Sequence, residues 1–203
     1  MKAATTKRIA AASSARGRDA VEDACREAVE ALPSEPGLLL AFSSGERDFE
    51  RDAIGIAEAA AGAPNAGMTG KGVFGPDGLV DDGCAAMAFS TGVSASVAAR
   101  EDAASDLREA GRASDAEALE RLERDAEVVL LFIDSTRGDI ADTLSGAYEA
   151  AGPSVPLAGG AAGGSAKAHF HSGRASLSTH GEVARIRGAK GDRNHAVVTV
   201  AFG

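Results

Sequence analysis

The sequence predicts an α/β protein of the α+β type, in which internally duplicated helix–strand–helix–strand–strand units form packed β-sheets with helices outside. Short, continuous apolar runs are typical of strands buried on both faces. Amphipathic helical patterns stand between these runs. The same elements return in the same order in the second half of the chain. The pattern leaves open whether they form two sheets or one continuous sheet.

The first half contains two predicted helices and two predicted strands. Helical spacing of apolar residues predicts an amphipathic helix over residues 16–32. A continuous apolar run at 38–42 predicts a buried strand, and a second helix follows at 51–61. The sequence Gly-Pro-Asp-Gly at 75–78 predicts a tight turn, and residues 84–89 resemble a strand.

The second half repeats this series. A helix is predicted over residues 114–126, with Ser114 as its N-cap in a capping box. An apolar strand at 128–132, a helix at 139–151 and a closing strand at 195–202 follow. Correspondence in order and spacing between the halves predicts an internal duplication.

The predicted boundaries follow from this duplication. We expect a flexible N-terminus at residues 1–14 and one domain at 15–203, with repeat units at about 15–95 and 96–203. Cys25 is predicted in a helix and Cys84 in a strand, and both are expected to be buried as small hydrophobic residues.

Charge and composition argue against several classes of protein. The net charge of −9 repels phosphate backbones and anionic membrane surfaces, so neither nucleic acid nor membrane is an expected partner. No run of 18 apolar residues exists, and the N-terminus lacks the apolar core of a signal peptide. The expected compartment is the cytoplasm.

Two glycine-rich segments, at residues 67–72 and 159–164, are the first candidate ligand-binding positions. They are predicted as turns whose backbone N–H groups could cradle an anionic ligand. The alternative is close backbone packing within a sheet. Neither matches a phosphate-binding loop or a dinucleotide fingerprint. The candidate residues are Gly67, Met68, Thr69, Gly70, Gly159, Gly160 and Gly163.

Polar residues directly after the two apolar strands are the second group of candidates. Ligand sites in α/β proteins gather where strands end. Each polar residue there can equally cap the following helix. Arg137 has the geometry to bind a carboxylate, although neighbouring aspartates can occupy it instead. The candidates are Ser43, Ser44, Asp134, Ser135 and Arg137.

The order of these features resembles the N-terminal FIST domain of microbial signal-transduction proteins. The resemblance covers about residues 19–202. Its most specific part is the Pro–x–x–Gly–Gly–x–Ala–Gly motif at 156–163, followed by a hairpin around 171–174. The first glycine segment of the family often contains Cys after Gly67, where this sequence has Met68.

This resemblance implies an intracellular sensory domain that binds a small ligand, such as an amino acid, in signal transduction. It also implies a C-terminal FIST domain or a signalling partner. Nothing in these 203 residues corresponds to that second domain, so the chain is expected to be either a lone domain or part of a longer protein.

Two alternative functions stay open from the sequence. One is a haem- or metal-binding sensor: some FIST members are described as haem-binding, and His169 and His171, two residues apart, could ligate haem or a metal, although surface positions on a hairpin are the preferred interpretation. An enzyme would need residues such as Asp134, Ser135 and His195 to meet in space, without a nucleophile-elbow motif. We predict no catalytic residue, no metal ligand and no cofactor.

Overall fold

The structure, a computed structural model, describes residues 10–101, 106–134, 139–163, 167–171, 174–178 and 196–203. The helices in these ranges are α1 (Ala20–Glu30), α2 (Phe49–Ala60), α3 (Leu107–Glu120) and α4 (Ile140–Ala151). The strands are β1 (Ala10–Arg16), β2 (Pro36–Ser44), β3 (Asn65–Gly70), β4 (Val73–Gly75), β5 (Gly78–Val80), β6 (Gly83–Ser90), β7 (Ala95–Glu101), β8 (Val128–Ile133), β9 (Leu157–Ala161), β10 (Lys167–His171), β11 (Arg174–Ser178) and β12 (Ala196–Phe202).

The strands form two large sheets and one small hairpin. Sheet 1 has the order β1-β6-β2-β3-β10-β11, and sheet 2 has the order β7-β12-β8-β9. Strands β4 and β5 pair only with each other among the described residues. The predicted α/β class is therefore confirmed, with two sheets rather than one.

Successive residues of β2 are buried on opposite faces of sheet 1. Leu39 and Ala41 lie in the apolar cluster formed with α1 and α2. Leu38 and Leu40 lie in a second cluster, which includes Phe132 of sheet 2. Because both faces of β2 are buried, its apolar run is continuous, as the sequence predicted. A third cluster lies between sheet 2 and helices α3 and α4, so the four layers are helices, sheet, sheet, helices.

Two aromatic pairs connect the facing sheets. Phe42 and Phe132 end corresponding apolar runs, and their ring centroids are 5.4 Å apart in an edge-to-face arrangement. Phe89 and Phe202 pair in the same way, also at 5.4 Å. Edge-to-face rings contribute about 0.5–1.5 kcal/mol beyond their buried area. The pairs therefore fix the two sheets relative to each other.

The chain consists of two units with the same pairing pattern. The first unit (residues 10–90) has the order β1-β6-β2-β3, and the second unit (residues 95–202) has β7-β12-β8-β9. In each unit the first two strand pairings in this order are antiparallel, and the third is parallel. The hairpin β10–β11 leaves the second unit and pairs with β3 of the first. Duplication of the sequence itself stays a prediction.

Aspartate N-caps begin three of the helices. The side chain of Asp48 accepts from the N–H of Arg51, that of Asp106 from Glu109, and that of Asp139 from Ala141. The predicted start of the third helix at Ser114 is wrong, because α3 begins seven residues earlier at Leu107.

Ser114 instead lies buried in the middle of α3, where its hydroxyl donates to the carbonyl of Ala98.

Two further expectations are corrected. Residues 10–14, expected to be flexible, lie in edge strand β1 and pair with β6. Most of the two glycine-rich segments, predicted as turns, lies in the parallel strands β3 and β9. Both errors concern small residues, which lack the apolar alternation that marks a strand.

Candidate functional site

A cavity of about 470 Å³ opens at the carboxyl ends of β3 and β9. Hairpin β4–β5 closes one side of it by packing Val73 and Val80 against Phe42 and Ala85. Ligands in α/β proteins commonly bind where strands end at such a crevice. The lining residues are Phe42, Met68, Thr69, Gly70, Lys71, Gly72, Val73, Phe74, Ala161 and Gly163.

Reciprocal hydrogen bonds join the two units beside the cavity. The Thr69 hydroxyl donates to the carbonyl of Gly163 over 3.0 Å, and the N–H of Gly163 donates to the carbonyl of Thr69 over 2.9 Å. The N–H of Ala162 donates to the carbonyl of Ile133 over 3.0 Å, which continues the β8–β9 ladder. The cavity wall thus combines backbone from both sheets in a fixed position.

Glycines in β3 and β9 are required by the neighbouring strands. A Cβ atom at Gly67 would lie 1.8 Å from the carbonyl oxygen of Ala41, and one at Gly159 would lie 2.0 Å from that of Leu131. Gly159 also has φ +137°, a conformation that residues with side chains rarely adopt. These two glycines therefore follow the close-packing interpretation of the sequence.

Among the described residues that line the cavity, Lys71 is the one charged residue, and it is exposed. The other walls are mostly apolar or backbone. A buried ion pair stands outside the lining, where Arg47 Nε donates to Asp52 Oδ2 over 2.6 Å. Burial raises the pKa of Asp52, while the hydrogen bond from Arg47 opposes the increase. The described lining therefore combines mostly apolar side chains with one basic residue.

The FIST N domain family matches residues 37–201 of this chain. The chain belongs to this family. This match confirms the resemblance seen in the sequence. FIST domains are sensory domains of signal transduction. Comparison with curated proteins gives no match. Within the described ranges of this FIST domain, no helix is long and apolar enough to cross a bilayer.

Four predicted site residues of the FIST domain meet at the cavity. They are Met68, Thr69, Gly70 and Gly163. Six others lie outside its lining: Ser43, Ser44, Gly67, Asp134, Gly159 and Gly160. Ser135 and Arg137 lie outside the described residues.

The residues at the strand ends are buried rather than open to the cavity. Ser44 donates through its hydroxyl to the carbonyl of Val80 over 2.9 Å, and so attaches β2 to hairpin β4–β5. Ser43 and Asp134 are nearly inaccessible at the ends of β2 and β8. Gly160 lies beside the cavity, since a Cβ atom there would be 3.2 Å from Met68 Cε.

Six residues of the lining were not among the candidate residues predicted from the sequence. Lys71 and Gly72 fall inside the first glycine-rich segment, so this segment was the available signal for them. Phe74 is separated from that segment by Val73 and reaches the cavity because hairpin β4–β5 folds back. The six residues are Phe42, Lys71, Gly72, Val73, Phe74 and Ala161.

The histidine prediction needs a correction. His169 is completely buried in β10, opposite Met68 of β3, so the expected surface position is wrong for this residue. His171 pairs with Ala66 through its backbone. His195, a candidate for the enzyme alternative, lies outside the described residues. Among described side chains, no cluster of three His, Cys, Asp or Glu residues is suited to a metal ion.

Proposed function

We propose that this FIST domain is an intracellular sensory domain and that it binds a small carboxylate-bearing ligand, such as an amino acid, in the cavity at the ends of β3 and β9. The observation that carries the proposal is the cavity lining, in which Lys71 is the one charged residue among the described lining residues and most other side chains are apolar. A ligand with one carboxylate and an apolar side chain complements this combination.

The walls offer separate surfaces to the two parts of such a ligand. Phe42, Met68, Val73 and Phe74 present apolar surface. Lys71 presents the positive charge that attracts a carboxylate, and the ion pair is strengthened where apolar walls reduce the surrounding water. The pairing of charge with apolar surface favours a zwitterion or a carboxylic acid over a sugar or a cation.

The position between the two units supports a sensory role. The cavity lining includes Thr69 of sheet 1 and Gly163 next to sheet 2, which bond to each other. A ligand that contacts both elements stabilises one relative arrangement of the sheets. We propose that a C-terminal FIST domain or another signalling partner reads this arrangement.

A thermal-shift screen with the twenty standard amino acids tests the proposal. A ligand at 100 times its Kd stabilises the folded protein by about 2.7 kcal/mol, which raises Tm by several degrees. At least one amino acid is expected to raise Tm of the wild type. Absence of any shift, with a C-terminal FIST domain also supplied, contradicts the proposal.

Matched variants locate the site. Phe74 is 81% exposed, so Phe74→Ala should remove cavity wall with little effect on folding. Leu79 stands directly opposite Phe74 on β5 but does not line the cavity, so Leu79→Ala is the control. We expect Phe74→Ala and Lys71→Gln to reduce the ligand-induced shift, while Leu79→Ala and Lys71→Arg retain it. Equal shifts in all four variants place the ligand elsewhere.

A further inference from the structure

The two units differ at the outer edge of their last parallel strand. In the first unit β3 is followed in the sheet by β10, which pairs with it in antiparallel fashion. In the second unit β9 is the corresponding strand, and it is the last strand of sheet 2 in the part of the chain that the structure describes. The first unit therefore shows what a filled edge looks like.

An aromatic residue fills the space beside β3. Phe170 of β10 stands opposite Gly67 and is almost completely buried. Its ring packs against that of Phe49 at the start of α2, with centroids 6.4 Å apart. Ala53, one turn further along α2, is 2% exposed and belongs to the same cluster. The docked strand thus covers both β3 and the neighbouring face of α2.

The corresponding face of the second unit carries exposed apolar side chains. Counted from the N-caps Asp48 and Asp139, Leu144 of α4 occupies the position of Ala53. Leu144 is 42% exposed, and Tyr148, one turn later, is 52% exposed. Exposed apolar groups beside a sheet edge are typical of an interaction surface.

Backbone groups on β9 are directed toward the same open edge. The β8–β9 ladder uses the carbonyl of Pro156 and the N–H of Ala162. Because backbone groups alternate in direction along a strand, the even-numbered residues between them face β8. Leu157, Gly159 and Ala161 therefore direct their N–H and carbonyl groups away from β8, where a further strand can pair with them.

We propose that this edge, formed by β9 with Leu144 and Tyr148, accepts an antiparallel strand from a partner protein, with an aromatic residue opposite Gly159. Main-chain pairing at a sheet edge provides affinity, and the aromatic side chain provides specificity. The aromatic ring would cover Leu144 and Tyr148 as Phe170 covers Ala53. The surface does not overlap the groups proposed to bind the ligand, except at Ala161.

Other occupants fit this edge less well. A second copy that pairs through its own β9 offers Leu157 as its largest side chain, and this residue already packs in its own core. Residues 179–195 of the chain contain no aromatic residue. Both alternatives leave Leu144 and Tyr148 without the aromatic cover that the first unit has.

A synthetic peptide with the sequence of residues 167–178 is the probe, because the equivalent edge already accepts that strand. Hydrogen exchange followed by NMR should show fast exchange at Leu157, Gly159 and Ala161 in the protein alone. Excess peptide should slow exchange at these three amides. The amides of Ala158 and Gly160, bonded to β8, should be slow throughout. This alternation identifies edge pairing rather than general stabilisation.

Variants test the aromatic contact. Tyr148→Lys and Leu144→Lys should weaken peptide binding at least about tenfold, and so should Phe170→Ala in the peptide. Ile54→Lys is the control, because Ile54 is an exposed apolar residue on α2 of the other unit.

Three results overturn the proposal. One is no saturable peptide binding, or equal binding by the Tyr148→Lys and Ile54→Lys proteins. Another is slow exchange at Gly159 and Ala161 in dilute protein alone, which assigns the edge to the chain's own residues. The third is protection that grows with protein concentration without peptide, which assigns it to a second copy.

Discussion

The two units bury polar groups in opposite places under one backbone plan. The buried positions of α1 and α3 are spaced identically, so Cys25 corresponds to Asp115. In the second unit Asp115 accepts a hydrogen bond of 3.0 Å from Thr199, which lies 2.8 Å from the Ser114 hydroxyl. In the first unit Cys25 belongs to an apolar cluster. At corresponding positions, α1 thus buries a thiol and α3 buries a carboxyl group.

Helices α2 and α4 show the reverse distribution, with the buried carboxylate in the first unit. Asp52 of α2 forms a buried ion pair with Arg47, whereas the corresponding residue of α4 is Thr143. Arg47 also donates to the carbonyls of Gly17 and Arg18, so it attaches the start of α2 to the turn before α1. The fold therefore accommodates a buried carboxylate beneath α2 in the first unit and beneath α3 in the second.

The largest expected difference between the units concerns one pair of glycines. A Cβ atom at Gly146 would lie 1.8 Å from the carbonyl oxygen of Arg108, so α3 and α4 meet backbone to backbone. The corresponding Gly55 meets only Glu22 Cγ, at 3.0 Å. Gly146→Ala should cost about 4 kcal/mol or prevent folding, because backbone must shift. Gly55→Ala should be neutral or stabilise by up to about 1 kcal/mol, because alanine favours a helix.

Urea unfolding of both variants measures this contrast. Circular dichroism reports whether Gly146→Ala folds at all, and the denaturation midpoint gives the change in the free energy of unfolding. Similar losses in both variants would mean that the two helix pairs approach each other equally closely, contrary to the structure.

The sequence predicted the elements whose signals are local. The strand at 128–132 follows from its continuous apolar run, and the helix predicted at 139–151 agrees with α4 to within one residue. Strand β1 was missed because its alanines and serines do not alternate in polarity. The first half of α3 was missed because a glycine such as Gly111 is typical of a helix end. In the structure Gly111 lies inside the helix, where a Cβ atom would be 2.2 Å from the carbonyl oxygen of Thr143.

The candidate site was predictable to a similar extent. Glycine content marked the segment that contains Thr69, but the reason for Gly67 is the carbonyl of Ala41, in another strand. No local pattern distinguishes a glycine needed for a turn from one needed for close approach. Phe74 lines the cavity because hairpin β4–β5 folds back over it, and local sequence patterns do not predict this tertiary contact either.

Replacement of Arg47 is expected to have the second-largest effect. Both partners of the Arg47–Asp52 pair are nearly buried, so Arg47→Met leaves a buried carboxylate without its counterion. The loss should be about 3 kcal/mol at neutral pH. At the corresponding position, Thr143→Val should change stability by less than about 1 kcal/mol, because the buried Thr143 hydroxyl has no hydrogen-bond partner to lose among the described residues.

Chemical denaturation at pH 5 and pH 8 checks the cause. Without Arg47 the pKa of Asp52 should rise further, so the cost of Arg47→Met should be smaller at pH 5, where more of the carboxyl group is protonated. A cost that is equal at the two pH values would indicate lost packing of the arginine side chain rather than an unpaired charge.

The polar cluster of the second unit should make stability depend on pH. Burial raises the pKa of Asp115 to about 6, and the hydrogen bond from Thr199 opposes the increase. Because the folded pKa lies above the unfolded value, the carboxyl group favours folding at low pH. This contribution is lost as pH rises from about 4 through about 6, by an amount on the order of 3 kcal/mol. Asp115→Asn should remove this part of the dependence.

The free energy of unfolding, measured at intervals between pH 4 and pH 8, tests this expectation. Asp77→Asn, on the exposed turn between β4 and β5, provides the control. If Asp115→Asn and Asp77→Asn show the same slope as the wild type across this range, the carboxyl group of Asp115 does not titrate as its burial implies.

The smallest effect is chemical and belongs to the first unit. In this unit the counterpart of Asp115 is Cys25, whose thiol contacts that of Cys84 within an apolar cluster. This contact and burial raise the pKa of Cys25 far above its ordinary value. The reactive thiolate is therefore scarce, and neither buried thiol should react with a disulfide reagent at pH 8 until the protein unfolds.

Labelling rates with and without denaturant measure this protection. Asp115→Cys provides the matched comparison if it folds, because it places a thiol at the same position beneath α3, beside Thr199 and Ser114. A polar neighbourhood stabilises a thiolate better than an apolar one, so this third thiol should react faster than Cys25. Fast labelling of Cys25 in the folded wild type would show instead that α1 opens locally, and that the first unit is the less protected of the two.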